Sequence, residues 1–246
     1  MDDTNIGSLR TANYSGSNQR MLTGLEYLVD GSSVLPLHIA DYWQWAYSDM
    51  LRNTQRGVFA EFIVKAALDL GGIRTNNNIR SNFEPFDLVG PNITKCSTPR
   101  LENSSFPCRI EVKSAAYIQS WNPHPGTSPR ITFSIAPARV PDETGDYRPD
   151  APSQRNSDIY VFAVYTAKER ERNILDMSLW EFYVAKTSSL DSKYGNQKTV
   201  SLTNLVKDFS LTAVPFSGLC QTIVDACESI SNDSKKDHPV SDSPAR

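Results

Sequence analysis

Very little in this chain is arranged for zinc, for a disulfide framework or for a membrane. It has only three histidines, His38, His124 and His238, and none lies at metal-binding spacing from a cysteine. Its four cysteines, Cys96, Cys108, Cys220 and Cys227, contain no C-x-x-C pair. Those absences exclude the common zinc modules. Cys220 and Cys227 stand seven apart and read as small core residues on one face of a helix. No apolar run approaches the roughly 18 residues that read as a membrane-spanning helix. The opening Met1-Asp2-Asp3-Thr4 is acidic and polar rather than a charged-then-apolar leader, so the expected location is cytoplasmic. The N-x-S/T sequons at Asn13, Asn92, Asn103 and Asn232 are then chance matches. An excess of one charge is missing as well, since 25 basic and 28 acidic residues leave a net charge of -3. That balance is neutral about nucleic acid, because phosphate binding needs a local basic surface rather than a basic whole.

What remains is an ordinary globular composition, 39% hydrophobic and 22% charged over 246 residues, long enough to bury a core without staples. Residues 1–33 are rich in Ser, Asn, Gly and Asp and are expected to form a flexible N-terminal arm. Residues 34–231 are expected to form one domain, and the polar, Pro-containing residues 232–246 a disordered tail. Leu37 to Leu51 carries Trp43, Ala46, Tyr47 and Met50 at helical spacing. A second helix is predicted from Asn53-Thr54 to the Gly71-Gly72 pair, with Phe59, Phe62, Ile63, Ala66 and Leu70 as its core stripe. The period then changes to two. Strands are predicted at Phe86–Val89, Arg109–Lys113, Arg130–Ile135, Asp158–Tyr165 and Trp180–Ala185, with helices near Leu202–Phe209 and Gly218–Ile230. The continuously apolar Ile159–Val164 suits a strand covered on both faces. This order argues a mixed α/β sheet flanked by helices. Long loops are expected at Pro91–Pro107 and Ala136–Ser157, the second read as a flap beside the site.

Glu111-Val112-Lys113 matches a D/E-x-K pattern. Asp191-Ser192-Lys193 and Asp233-Ser234-Lys235 match it too, but without alternating apolar neighbours, and read as solvated charge in a turn and in the tail. On a strand, Ile110 and Val112 point one way while Glu111 and Lys113 stand together on the other face. An acid and a base side by side there are costly to bury unless they reach solvent, a ligand or each other. Twenty-four positions upstream, Pro85-Phe86-Asp87 places an acid at the head of a strand that can lie alongside. Glu61 sits inside an otherwise apolar helix. Singly, each has an ordinary alternative: an exposed strand face for Glu111 and Lys113, a turn residue for Asp87, an i,i+4 pair with Lys65 for Glu61.

Taken in order, Glu61 on a helix, Asp87 at a strand head and Glu111-Val112-Lys113 on the next strand resemble the PD-(D/E)XK nuclease superfamily. The resemblance covers roughly Asn53 to Tyr165, and Glu111 to Trp121 is similar to a stretch of uncharacterised bacterial members. It departs from the family pattern in that Phe86 separates Pro85 from Asp87. The resemblance implies a restriction-endonuclease-like mixed central β-sheet flanked by helices. It also implies hydrolysis of DNA phosphodiester bonds, as an endonuclease. The implied cofactor is Mg²⁺, with Mn²⁺ substituting. Asp87, Glu111 and the Val112 backbone carbonyl would be its ligands, Glu61 would act through water or a second metal, and Lys113 would stabilise charge. The alternative is a nuclease fold that has lost activity and serves as a DNA-binding or assembly subunit.

Candidate nucleic-acid contacts are Gln119 and Trp121, which continue the alternation beyond Lys113, and Arg52 and Arg56 at the start of the Glu61 helix. Arg130, with Arg139, Arg148 and Arg155 of the long loop, is a candidate phosphate-binding rim; solvated surface arginines are the ordinary alternative. A homodimer would suit cutting of both strands, though no interface is legible in the sequence.

Overall fold

The computed structural model describes residues 21–75, 79–80, 84–95, 104–119, 129–139, 152–169 and 172–236. The chain divides into two compact units. One is Met1–Met50 with Asn77–Phe83; the other is Leu51–Asn76 with Glu84–Arg246.

In the first unit, β1 (Tyr27–Asp30) and β2 (Ser33–His38) form an antiparallel hairpin, and α1 (Ile39–Tyr47) follows directly. Tyr27–Asp30 is therefore strand inside the stretch expected to be an arm. Gly31 turns the hairpin at φ 59°, a left-handed conformation that glycine adopts without steric cost. Asp41 accepts a hydrogen bond from the His38 backbone N–H at 2.6 Å and so helps cap α1.

The second unit holds a four-stranded sheet in the order β3-β4-β6-β7, built from β3 (Leu88–Lys95), β4 (Ser104–Ala116), β6 (Ile159–Tyr165) and β7 (Trp180–Lys186). The β3/β4 and β6/β7 pairs are antiparallel while β4/β6 is parallel, so the sheet is mixed. β5 (Thr132–Ser134) pairs with β8 (Thr199–Ser201) in a separate antiparallel ribbon. Part of the expected 91–107 loop is strand, since β3 runs through Lys95 and β4 begins at Ser104. Every residue of β6 is buried, because both sheet faces are covered.

On one face, α2 (Asn53–Leu70) and α5 (Phe216–Lys236) pack against Ile110, Val112, Val161 and Phe182. On the other, Phe133 of β5, Leu190 of α3 (Thr187–Tyr194), Val200 of β8 and Leu205 of α4 (Leu202–Phe209) pack against Tyr160, Phe162 and Tyr183. The expected α/β sheet flanked by helices is therefore the architecture of this unit.

The core face of α2 differs from the predicted stripe. Arg56, Ala60, Ile63, Val64, Ala67 and Leu68 are buried, whereas Phe62 is 60% and Leu70 80% exposed. Both Phe59 and Ala60 fit a helical period in so apolar a stretch. The small Ala60 and Ala67 let the helix approach the sheet, and Phe59 instead meets the Trp180 ring edge-on at 5.9 Å.

Candidate functional site

The site begins where β3 parts from β4. Their register ends at Leu88 opposite Ile110, while β6 follows β4 from Ile110 through Ala116. Beyond Ile110 the other edge of β4 has no strand partner among the described residues. Asp87 stands at this fork. Its backbone N–H donates to the Ile110 carbonyl at 3.0 Å, and its Oδ2 accepts from the Val112 N–H at 2.7 Å. The carboxylate thus takes the place of the ladder acceptor that β3 no longer supplies. It is thereby held beside the Glu111-Val112-Lys113 segment.

Strand alternation puts Glu111 and Lys113 together, both partly buried, with the Lys113 ammonium donating to Glu111 Oε1. Glu61 is on α2 and only 9% exposed, which removes the surface-helix alternative for it; Lys65 pairs with Asp69 at 2.5 Å. Electrostatics tie the four together. Burial, then the Glu111 and Glu61 carboxylates, push the Asp87 carboxyl up to about 7, opposed by the Val112 N–H and the Lys113 ammonium. Among the described residues no three His, Cys, Asp or Glu side chains form a group that could hold a metal ion. The arrangement is a pair of carboxylates, one oxygen already hydrogen-bonded, with a third acid in electrostatic range.

A cleft of about 420 Å³ runs from Lys113 and Val112 along the open edge of β4. Its lining brings in Asn53, Arg56, Gln119 and Arg130, so two candidate arginines and the candidate glutamine meet the lysine there. Arg56 is 3% exposed and donates to Ser114 Oγ at 3.1 Å, the Leu51 carbonyl at 3.0 Å, Asn53 Oδ1 at 2.9 Å and Gln119 Oε1 at 3.3 Å. This candidate contact at the start of the Glu61 helix is thus a buried wall of the cleft. Gln119 also donates to the Ala116 carbonyl at 3.0 Å. Arg52 is exposed at the N-cap of α2 and does not line the cleft. Trp121, His124 and Arg148 lie outside the described residues, as does most of the expected flap.

Arg155 corrects the phosphate-rim expectation. Its side chain is 1% exposed, paired with Asp191 at 2.5 Å, and donates to the Ile135 and Gln197 carbonyls. Its charge is already matched by the Asp191 carboxylate, and it ties the chain just after β5 to α3. The other two D/E-x-K matches also have structural jobs, and on helices rather than in a turn and a tail. Asp191 and Lys193 belong to α3, where Lys193 lies 3.7 Å from Asp208, and Asp233 of α5 accepts from Lys186 at 2.6 Å.

Tyr160, Ser114 and Asn53 are site residues that the sequence reading missed. Tyr160 is the β6 partner of Glu111, and burial followed by the Glu111 charge raises its phenol well above the ordinary value. Which strand lies beside β4 has no local signal, so that neighbour could not be named beforehand.

No family model matches the chain, and no curated protein matches it by sequence. Among solved structures, a bacterial homing endonuclease, I-Ssp6803I, is similar at 14% identity and a TM-score of 0.34, covering 69% of this chain and 93% of that one.

Proposed function

We propose that this protein is a divalent-metal-dependent nuclease that hydrolyses DNA phosphodiester bonds, probing its substrate with the cleft beside Lys113. The observation that supports this most is Asp87, seated at an open strand edge under the combined charge of Glu111 and Glu61 with Lys113 close by. A single lysine does not cancel that negative charge, and Asp87 and Glu111 offer two hard oxygen donors, short of a full protein cage but sufficient for a cation that keeps its waters. Asp87 and Glu111 would hold Mg²⁺ or Mn²⁺, with the Val112 carbonyl as a further oxygen and Glu61 acting through water. Two carboxylates suffice, because Mg²⁺ keeps several of its waters. When bound, the cation supplies charge neutralisation at the phosphate and a more acidic water.

The remaining roles belong to the chain. The Val112 N–H fixes the direction of the Asp87 carboxylate through Oδ2. Glu111 holds the Lys113 ammonium, and Lys113, which lines the cleft, would balance charge building on the non-bridging phosphate oxygens. The cleft offers cationic and amide side chains to the strand. DNA as the substrate, and internal rather than terminal cutting, rest on the resemblance to the PD-(D/E)XK pattern. A two-fold dimer would let one assembly cut both strands, and the proposed setting is cytoplasmic; among the described residues no helix is long and apolar enough to cross a membrane.

Incubation with supercoiled plasmid and with single-stranded DNA, under Mg²⁺, Mn²⁺ or EDTA, tests the reading. Metal-dependent nicking that disappears in Asp87→Ala is expected. Wild-type protein that binds DNA but is inert with either metal would assign it instead to the non-catalytic DNA-binding class.

A further inference from the structure

Arg56 presents a physical problem that the proposed chemistry does not use. A guanidinium stays protonated at any ordinary pH, and a buried charge is normally matched by an opposite one. The four hydrogen-bond acceptors around Arg56 are all neutral: a serine hydroxyl, a backbone carbonyl and two side-chain amides. Burial alone acts on its proton affinity, lowering it. The cleft it borders also contains Lys113 and Arg130 and, among the described residues, no carboxylate in its lining. Lys113 is already paired with Glu111, so the excess positive charge lies with the two arginines.

The shape agrees. At about 420 Å³ the cleft falls within the range, about 300–1,000 Å³, of pockets that take one small ligand. It suits one nucleotide rather than a duplex. Gly57 lies on its wall in the first turns of α2, and a Cβ built there would meet nothing within 4 Å. Glycine is a poor helix residue, and here its lack of a side chain keeps the cleft open.

We infer that this cleft is a phosphate subsite: it takes one nucleotide of a nucleic-acid strand, with the phosphate matched to Arg56 and Arg130. Its place beside Lys113 makes it the seat of a phosphate neighbouring the scissile one, and that second statement rests on the nuclease reading. Arg130 contacts the ligand directly. Arg56 also orders Ser114, Asn53 and Gln119 around it, so it is both a contact and a positioning residue.

Thermal-shift and calorimetric titration of the full chain in EDTA, with inorganic phosphate, deoxythymidine monophosphate and thymidine, tests this without any metal. Phosphate and the monophosphate should raise the unfolding midpoint, and thymidine should not. Arg130→Ala, an exposed position, should weaken monophosphate binding at least tenfold while the unliganded midpoint stays within a few degrees. Gly57→Leu, which fills the cleft from a position without close neighbours, should do the same. Equal affinity in wild type and both variants, or stabilisation by thymidine as large as by the monophosphate, overturns the subsite. In cleavage assays, Arg130→Ala should raise KM about tenfold with kcat within about twofold. Metal-dependent cleavage with KM unchanged in Arg130→Ala sinks the subsite and spares the nuclease reading. Phosphate binding lost in Arg130→Ala, in a wild-type protein inert on every DNA, supports the subsite and sinks the nuclease reading.

Discussion

At the scale of single residues, the Asp87 carboxyl is where the fold accepts a cost. Its pKa is raised from 3.8 to about 7 by burial and by two neighbouring carboxylates. Between those values the folded chain binds a proton that the unfolded chain has lost, so stability falls as pH rises from about 4 to about 7. The full shift corresponds to at most about 4 kcal/mol, and less because the site opens to solvent. In EDTA, urea midpoints should therefore decline across that window, and Asp87→Asn should flatten the decline and be the more stable form at pH 8. An unchanged slope in Asp87→Asn would show that other groups carry it. Lys113 poses the complementary test. Its partner Glu111 is half-buried and the strand face tolerates a small residue, so Lys113→Ala should keep the fold and Mn²⁺ affinity. Cleavage should nevertheless fall by 10²–10³-fold, about 3–4 kcal/mol of transition-state stabilisation. Asp87→Ala should abolish metal binding and cleavage together, and Glu61→Gln should be the mildest of the three.

Among the elements, α2 has two glycines, Gly57 in its first turns and Gly71 at its C-cap, that respond oppositely to a methyl group. Gly57→Ala meets open space and relieves a poor helix residue, so it should stabilise by about 0.5–1 kcal/mol. At Gly71 a Cβ would lie 2.2 Å from the Cys220 sulfur and 3.3 Å from the Ala67 carbonyl oxygen, so Gly71→Ala should destabilise by about 1–3 kcal/mol. Thermal melts of the two variants check both signs. The loop arginines also separate. Arg155→Ala should cost about 2 kcal/mol or more in stability by stranding the Ile135 and Gln197 carbonyls, with DNA affinity per folded molecule unchanged. Chain pattern did not distinguish Arg155 from Arg130, since both flank apolar strands in polar company. Burial did. The same limit explains the rotated stripe of α2: with alanines and aromatics on adjacent faces, period alone leaves the core side open by about one position.

For the whole molecule, a net charge of -3 means that DNA affinity comes from local charge, and the cleft supplies three cations, Arg56, Lys113 and Arg130. Those cations face two phosphates, so anisotropy measurements in EDTA should give a log–log salt slope of about -1.4 to -1.8, each phosphate contact contributing about -0.7 to -0.9. A slope steeper than about -5 would place most phosphate contacts elsewhere on the surface. The sequence by itself determined the local things: helix over Asn53–Leu70, alternation through Glu111 and Lys113, an acid just ahead of β3, and a strand at Ile159–Tyr165 apolar enough to be buried on both faces. These follow from side-chain period and from what solvent allows at each position, which neighbours along the chain suffice to set. Only the tertiary structure decided that Asp87 replaces the missing ladder acceptor of Val112, that Tyr160 lies beside Glu111, and that Arg56 is walled in without an opposite charge while Arg155 has one. It also grouped Met1–Met50 with Asn77–Phe83 in one compact unit. Those outcomes depend on register and burial among residues up to 63 positions apart, as in the Arg56–Gln119 contact. Such pairings are chosen by the packing of the whole sheet, and no local pattern encodes them.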